Sequence, residues 1–254
     1  MPPPGYEPFL KAICENPDDD TVRLVYADWL DENGDPERAE FIRLQIALHG
    51  KPKKSDPQQI REEELIEANG RAWLSELPEL PHLRWPGDFS RGFVKTVCVG
   101  AGKWFIDHRI KLFASAPVRH LSVSEAGEGT LAKVLAVREI GCLTGLSLCR
   151  CRVPRDRFRV LTHSPRLANL RELAISDRSC VGRYVDLTDE EAQEFVETPF
   201  LPALEAIYFG DWISPRAEHI LRTRFKIVSS RTRFTRTASR FWYDPTPPLG
   251  NLLP

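Results

Sequence analysis

The acidic side chains whose spacing suits metal binding are Asp28, Asp31 and Glu32. In a helix they would lie within one turn of each other, and carboxylate oxygens at that spacing are the ligands that Ca²⁺ and Mg²⁺ prefer. The same acids lie near the end of the predicted helix, where acids commonly face solvent or pair with a neighbouring base such as Arg38. We therefore expect charge pairing here, with divalent-metal binding as the alternative.

A second set of potential ligands consists of Cys149, Cys151 and His163. A structural zinc site normally has paired ligands at both ends, and the six cysteines of this chain form no CxxC motif. The sequence also lacks a phosphate-binding loop and the H-E-x-x-H, G-x-S-x-G and G-x-G-x-x-G motifs, and its six histidines are scattered. We predict no metal, no cofactor and no enzymatic activity.

The spacing that organises the second half of the chain is L-x-x-L-x-L. Each copy alternates in its second half, as a short strand with one buried face does. Five copies align on three apolar positions, and they are Val94/Val97/Val99, Val118/Leu121/Val123, Leu143/Leu146/Leu148, Leu170/Leu173/Ile175 and Leu204/Ile207/Phe209. The pattern predicts five short strands with their apolar positions on one face.

Helical patterns lie between the copies, over 103–114, 130–137, 155–162, 188–197 and 215–223. Thr188 with Glu191 forms a capping box, and Ser214 before Pro215 is a typical helix start. The copies begin 24, 25, 27 and 34 residues apart, and strand-plus-helix units of about 20–29 residues are typical of leucine-rich repeats. The long fourth interval predicts a loop over 177–187. Where that repeat has Asn or Cys, only Cys151 fits, so irregular connections are expected.

The first fifty residues predict a short helix followed by a tight helical pair. Asp20 or Thr21 is expected to cap the second helix, Gly34 to end it, and Asp35 with Pro36 to start the third. The apolar side of the second helix is formed by Val22, Val25, Tyr26, Trp29 and Leu30, which recur at helical spacing.

This block resembles the repeat-companion domain, a short module of bacterial proteins that precedes leucine-rich or other repeats. The resemblance covers about 45 residues and lies in L-V-Y-A-D-W-L-D-E (24–32), the Gly34-Asp35-Pro36 turn and R-A-E-F-I (38–42). The motifs R-G-F-V (91–94) and A-P-V-R-H-L (116–121) also look like the repeat regions of such proteins. The resemblance implies a domain organisation but brings no catalytic residue or ligand with it.

Charge is distributed unevenly along a chain of net charge −1. Residues 1–50 contain eleven acids and four bases, which gives −7, whereas residues 222–240 contain seven bases and no acid. The arginines and aromatics of that second segment suit contacts with single-stranded nucleic acid, or an edge strand that closes the repeat. No apolar run is long enough for a membrane span and no signal peptide is visible, so we expect a cytoplasmic protein without membrane association.

Together these patterns predict an α/β protein in which an α-helical companion domain precedes a short leucine-rich-repeat-like solenoid, with parallel strands on one face and helices on the other. The predicted boundaries are 1–50 for the companion domain, 51–90 for a helical linker and amino-terminal cap, 91–230 for the solenoid, and 231–254 for a carboxyl-terminal cap and tail.

The strand positions between the apolar ones should form the concave face of such a solenoid, and solenoids use that face for binding. We predict a non-catalytic protein-interaction module with an unidentified protein partner. Nucleic-acid binding through the arginine-rich segment is the alternative, and the sequence leaves the oligomeric state open. The predicted contact residues are His120, Ser122, Ser147, Glu172, Tyr208 and Trp212.

Overall fold

The computed structural model describes residues 2–50, 56–100, 102–124, 126, 128–149, 157–176, 187–209 and 213–229. The chain is mixed α/β with a mostly parallel sheet, which confirms the predicted class. It forms two compact units. The helical unit comprises Met1–Pro81, Trp85–Val97 and His108–Arg119, and the sheet unit comprises His82–Arg84, Cys98–Asp107 and His120–Pro254.

The helices of the described residues are α1 (Glu7–Glu15), α2 (Asp20–Glu32), α3 (Pro36–Leu48), α4 (Pro57–Ser75), α5 (Gly102–Ser115), α6 (Glu128–Ala136), α7 (Arg157–Thr162), α8 (Asp189–Glu197) and α9 (Pro215–Arg222). The strands are β1 (Leu83–Arg84), β2 (Phe89–Ser90), β3 (Phe93–Val94), β4 (Thr96–Val99), β5 (His120–Ser124), β6 (Gly145–Cys149), β7 (Glu172–Ser176), β8 (Ala206–Phe209) and β9 (Lys226–Ser229). Two short 3₁₀ helices cover Arg138–Cys142 and Pro165–Leu167.

The helical unit begins with the three helices that the sequence predicts. Asp35 accepts a hydrogen bond from the backbone N–H of Arg38 and caps α3, as expected, and Gly34 has a φ of +90°. The cap of α2 is Asp19, which accepts from the backbone N–H of Thr21, so the prediction of Asp20 or Thr21 as the cap was wrong by one or two positions. The core of α1 to α3 is formed by Ile13, Tyr26, Ala27, Leu30, Ala39 and Ile42 together with Phe93.

A small antiparallel hairpin of β2 and β3 completes this unit, and the sequence patterns did not predict it. Its two turn residues, Arg91 and Gly92, have φ values of +51° and +85°, which is the conformation of a type I′ turn. The Arg91 guanidinium donates to both Asp18 and Asp20 and to backbone carbonyls, and the backbone N–H of Gly92 donates to the side chain of Gln45. These bonds fix the hairpin turn.

The sheet has the strand order β1-β4-β5-β6-β7-β8-β9. Strands β5 to β9 pair in parallel, and β1 pairs antiparallel with β4. Leu121, Leu146, Leu173 and Ile207 lie directly opposite one another on successive strands, and all four are almost fully buried. The predicted alignment of these four apolar positions is therefore confirmed, and β9 adds a further parallel strand beside β8.

The helices between these strands also follow their sequence signals. Thr188 and Glu191 form both hydrogen bonds of the capping box at the start of α8, and Ser214 caps α9 in front of Pro215. The predicted loop over 177–187 lies outside the described residues except at Leu187.

Candidate interaction surface

Five of the six predicted contact residues lie on the face of the sheet opposite the buried leucines: His120, Ser122, Ser147, Glu172 and Tyr208. Side chains of a strand alternate between its two faces, so residues that flank the leucine positions share the other face. The structure places them in two rows across the strands: His120, Gly145, Glu172, Ala206 and Lys226 form the first, and Ser122, Ser147, Ala174 and Tyr208 belong to the second.

Large and small residues alternate along these rows. A Cβ atom on Gly145 would lie 2.5 Å from Cδ2 of His120, so the absence of a side chain at Gly145 makes room for the imidazole ring. In the same way Glu172 lies between Gly145 and Ala206, and Tyr208 lies beside Ala174. Small residues therefore separate the large polar side chains from one another along each row.

Exposure separates the predicted residues into two groups. His120, Glu172 and Tyr208 are partly exposed, whereas Ser122 and Ser147 are only 5% and 6% exposed. The serine hydroxyls thus contribute little accessible surface, although they were predicted as contact residues. Trp212 lies outside the described residues.

The electrostatics of this face depend on His120, Glu172 and Lys226, which the strand register places in that order across the sheet, and on Tyr208. Burial raises the pKa of the Tyr208 phenol, and the negative charge of Glu172 raises it further, so the phenol remains protonated at neutral pH. Glu172 is two strands from His120 and two from Lys226, which corresponds to roughly 10 Å on either side at the usual strand spacing. Lys226 is exposed and was not among the predicted contact residues, because the repeat pattern ended one strand earlier.

The acidic cluster in the helical unit is occupied by an arginine. Arg43 donates to Asp28 and to Asp31, with nitrogen–oxygen distances of 2.7 Å in both cases. Charge pairing is therefore what the structure shows, but the expected partner Arg38 was wrong. The described residues contain no group of three side chains placed to hold a metal ion.

The structure describes only two of the second set of potential ligands. Cys149 is a thiol and not part of a disulfide, Cys151 lies outside the described residues, and His163 is next to Glu194 with Nδ1 3.2 Å from Oε1. The hydroxyl of Thr162 donates to the same oxygen at 2.5 Å.

His163 and Glu194 border an open groove of about 570 Å³ on α8 and α9, which is also lined by Asp189 and Arg216. Thr162 contacts both His163 and Glu194. In a nucleophile–histidine–acid arrangement the hydroxyl and the carboxylate lie at opposite ring nitrogens. Here both lie at Nδ1, with the Thr162 oxygen 3.1 Å away, and Thr162 is fully buried. The contacts of this cluster orient the imidazole without activating the hydroxyl.

Comparison with models of known protein families gives no match for this chain, and none of the curated proteins is similar enough to count as a relative. No helix in the described ranges is both long and apolar enough to span a bilayer. The arginine-rich segment that suggests nucleic-acid binding lies largely outside these ranges, so that alternative stays a prediction.

Proposed function

We propose that this chain is a non-catalytic protein-interaction module of the leucine-rich-repeat type. In this proposal the companion domain extends to about residue 50, a helical linker and cap to about residue 90, and the solenoid to about residue 230. The register of β5 to β8 is the observation that supports this proposal most strongly. Leu121, Leu146, Leu173 and Ile207 form one continuous buried row, as expected if strand-and-helix units that cannot bury their own apolar side stack as a short solenoid.

The proposed contact surface is the opposite face, around Glu172 and Tyr208. A half-buried tyrosine is a good binding anchor because it is large, rigid and able to hydrogen bond, and tyrosine is enriched among residues that dominate binding energy. Its neighbour Glu172 adds a negative charge at the centre of the row. A suitable partner surface would offer a cation to Glu172 and a flat apolar group to Tyr208.

The cytoplasm is the compartment that we propose for this module. Cys14, Cys98, Cys142 and Cys149 are thiols and not parts of disulfides in the structure. Cysteines usually remain in that state where glutathione and thioredoxin keep thiols reduced.

The test is an affinity purification from the native cell, quantified by mass spectrometry, with three forms of the full chain. The first is wild type, and the second carries Glu172→Ala and Tyr208→Ala. The third is a matched control with Arg166→Ala and His219→Ala, two exposed positions outside the strands of the same unit. Hot-spot truncations cost about 2 kcal/mol or more, so we expect at least a tenfold loss of the specific partner from the second form alone. Full retention of every specific partner by that form would contradict the proposed surface.

A further inference from the structure

A second feature, unrelated to the sheet, is an arginine enclosed by aromatic rings in the helical unit. Arg38 is only 7% exposed. Its guanidinium carbon lies 4.5 Å from the ring centre of Trp73, 5.5 Å from Phe93, 5.6 Å from Phe89 and 5.8 Å from Phe41. The rings stabilise the positive charge through their faces, but they accept no conventional hydrogen bond from the guanidinium.

One nitrogen of the Arg38 guanidinium lacks a hydrogen-bond acceptor among the described residues. Its Nη1 atom is buried without a hydrogen-bond partner, and within the described ranges no carboxylate is within ion-pair distance of it. The side chain of Asp35 accepts from the backbone N–H of Arg38 instead. Burial lowers the pKa of Arg38, as expected for a cation removed from water without a bonded counter-charge.

Arg23 is a buried arginine of the same unit whose guanidinium does form hydrogen bonds. It is 2% exposed and its guanidinium lies 5.6 Å from the ring centre of Phe93, so its surroundings are comparable. However, its Nε and Nη1 atoms donate to the carbonyl oxygens of Arg91 and Asp19. The unpaired Nη1 atom of Arg38 is therefore not a general consequence of burying an arginine in this fold.

Arg38 borders a cavity of about 60 Å³. This volume is about twice the share of liquid volume that one water molecule takes, so it fits a group with three or four non-hydrogen atoms. Tyr26, Trp73 and Phe93 line the cavity, and the carboxylates of Asp35 and Glu76 also border it. Those two acids disfavour a dianion such as phosphate, because it would be repelled more strongly than a monoanion.

The geometry points to a binding site for a small carboxylate group, which would accept hydrogen bonds from the planar guanidinium of Arg38 inside the aromatic enclosure. A carboxylate is the acceptor that matches the guanidinium fork, and the neighbouring acids repel its single charge less than they would repel a dianion. The group could come from a free small carboxylic acid or from the carboxylate of a polypeptide. This site is separate from the sheet face and does not depend on the proposed function.

The experiment is an NMR titration of the full chain that follows the Nε–Hε resonance of Arg38. Sodium acetate is added in one arm and acetyl-triglycine with a free carboxyl terminus in the other. Sodium chloride and the amidated peptide serve as controls. A ligand of this size binds weakly, so we expect saturation at about millimolar concentration in at least one carboxylate arm and in neither control. Saturation by acetate alone indicates a free acid as the source, whereas saturation by the peptide indicates a polypeptide. No saturable shift in either arm up to about 100 times that concentration would overturn the proposal, because the cavity would then bind only water.

Two matched variants show whether Arg38 itself is responsible. Arg38→Lys keeps the charge but loses the planar fork, and we expect it to weaken acetate or peptide binding at least tenfold. Arg23→Lys changes the other buried arginine of the same unit and should leave the affinity within twofold. Equal affinity for wild type and Arg38→Lys would refute the site. If Arg38→Lys does not fold, the wild-type titration alone tests the site, because the Nε–Hε resonance of Arg38 can be assigned without the variant.

Discussion

Leu173→Ala tests whether the leucine row is the structural core of the sheet. Leu173 has no exposed surface, and Leu146 and Ile207 lie opposite it on the two neighbouring strands. A cavity at this position is bounded by a strand on each side and cannot easily close. Fully buried Leu→Ala changes cost about 3–5 kcal/mol, and we expect about 4 kcal/mol here. At about 2–4 °C per kcal/mol, Tm should fall by roughly 8–16 °C.

The assay is urea unfolding followed by far-ultraviolet circular dichroism, with Glu172→Ala as the control. Glu172 is the preceding residue of the same strand but lies on the opposite, partly exposed face. Its truncation should change the free energy of unfolding by no more than about 0.5 kcal/mol. A loss below about 1 kcal/mol for Leu173→Ala, or equal losses for both variants, would mean that the leucine row is not the core.

Three further substitutions test local features. Gly92→Ala should destabilise the protein by about 3 kcal/mol in thermal unfolding, because φ is positive there and the new Cβ would lie 2.3 Å from Cγ1 of Ile42; an unchanged Tm would refute the turn geometry. Burial raises the pKa of Asp88, whose carboxylate accepts a hydrogen bond from the hydroxyl of Thr96. The folded protein therefore favours the protonated form of Asp88 more than the unfolded chain does. Wild type should therefore lose stability relative to Asp88→Asn as pH rises from about 4, the ordinary Asp pKa, towards the raised value, and pH-independent relative stability would contradict this. Thr188→Ala removes the cap of α8 and should cost about 1 kcal/mol in urea unfolding, whereas Thr188→Ser should cost little.

Local signals in the sequence were sufficient where a short segment determines its own structure. The capping box at Thr188, the Ser214–Pro215 start and the Asp35–Pro36 start all form as predicted, because each depends on residues only a few positions apart. The apolar rows were also predictable, because period-two alternation is fixed by the geometry of a strand.

Features that depend on distant residues were missed. Strands of two residues, such as β2 and β3, carry no periodicity, and the left-handed conformation of Arg91 is unusual for a residue other than glycine. The pairing of Asp31 with Arg38 failed because helix orientation places Arg43 beside the acid and turns Arg38 towards the aromatic rings.

The candidate surface shows the same difference between what local sequence determines and what depends on distant residues. Strand alternation correctly placed His120, Ser122, Ser147, Glu172 and Tyr208 on one face, but it contains no information about exposure. Ser122 and Ser147 are buried although they share that face with the partly exposed residues.

A double-mutant cycle on Leu146 and Leu173 tests the stacking of neighbouring units most directly. The two side chains lie opposite each other on adjacent strands, so the losses in free energy of unfolding for Leu146→Ala and Leu173→Ala should be non-additive by about 0.5–3 kcal/mol. Leu121 and Ile207 are three strands apart, roughly 14 Å, and their alanine variants should be additive within about 0.5 kcal/mol. Additive losses for the adjacent pair, or equal coupling for both pairs, would contradict the account.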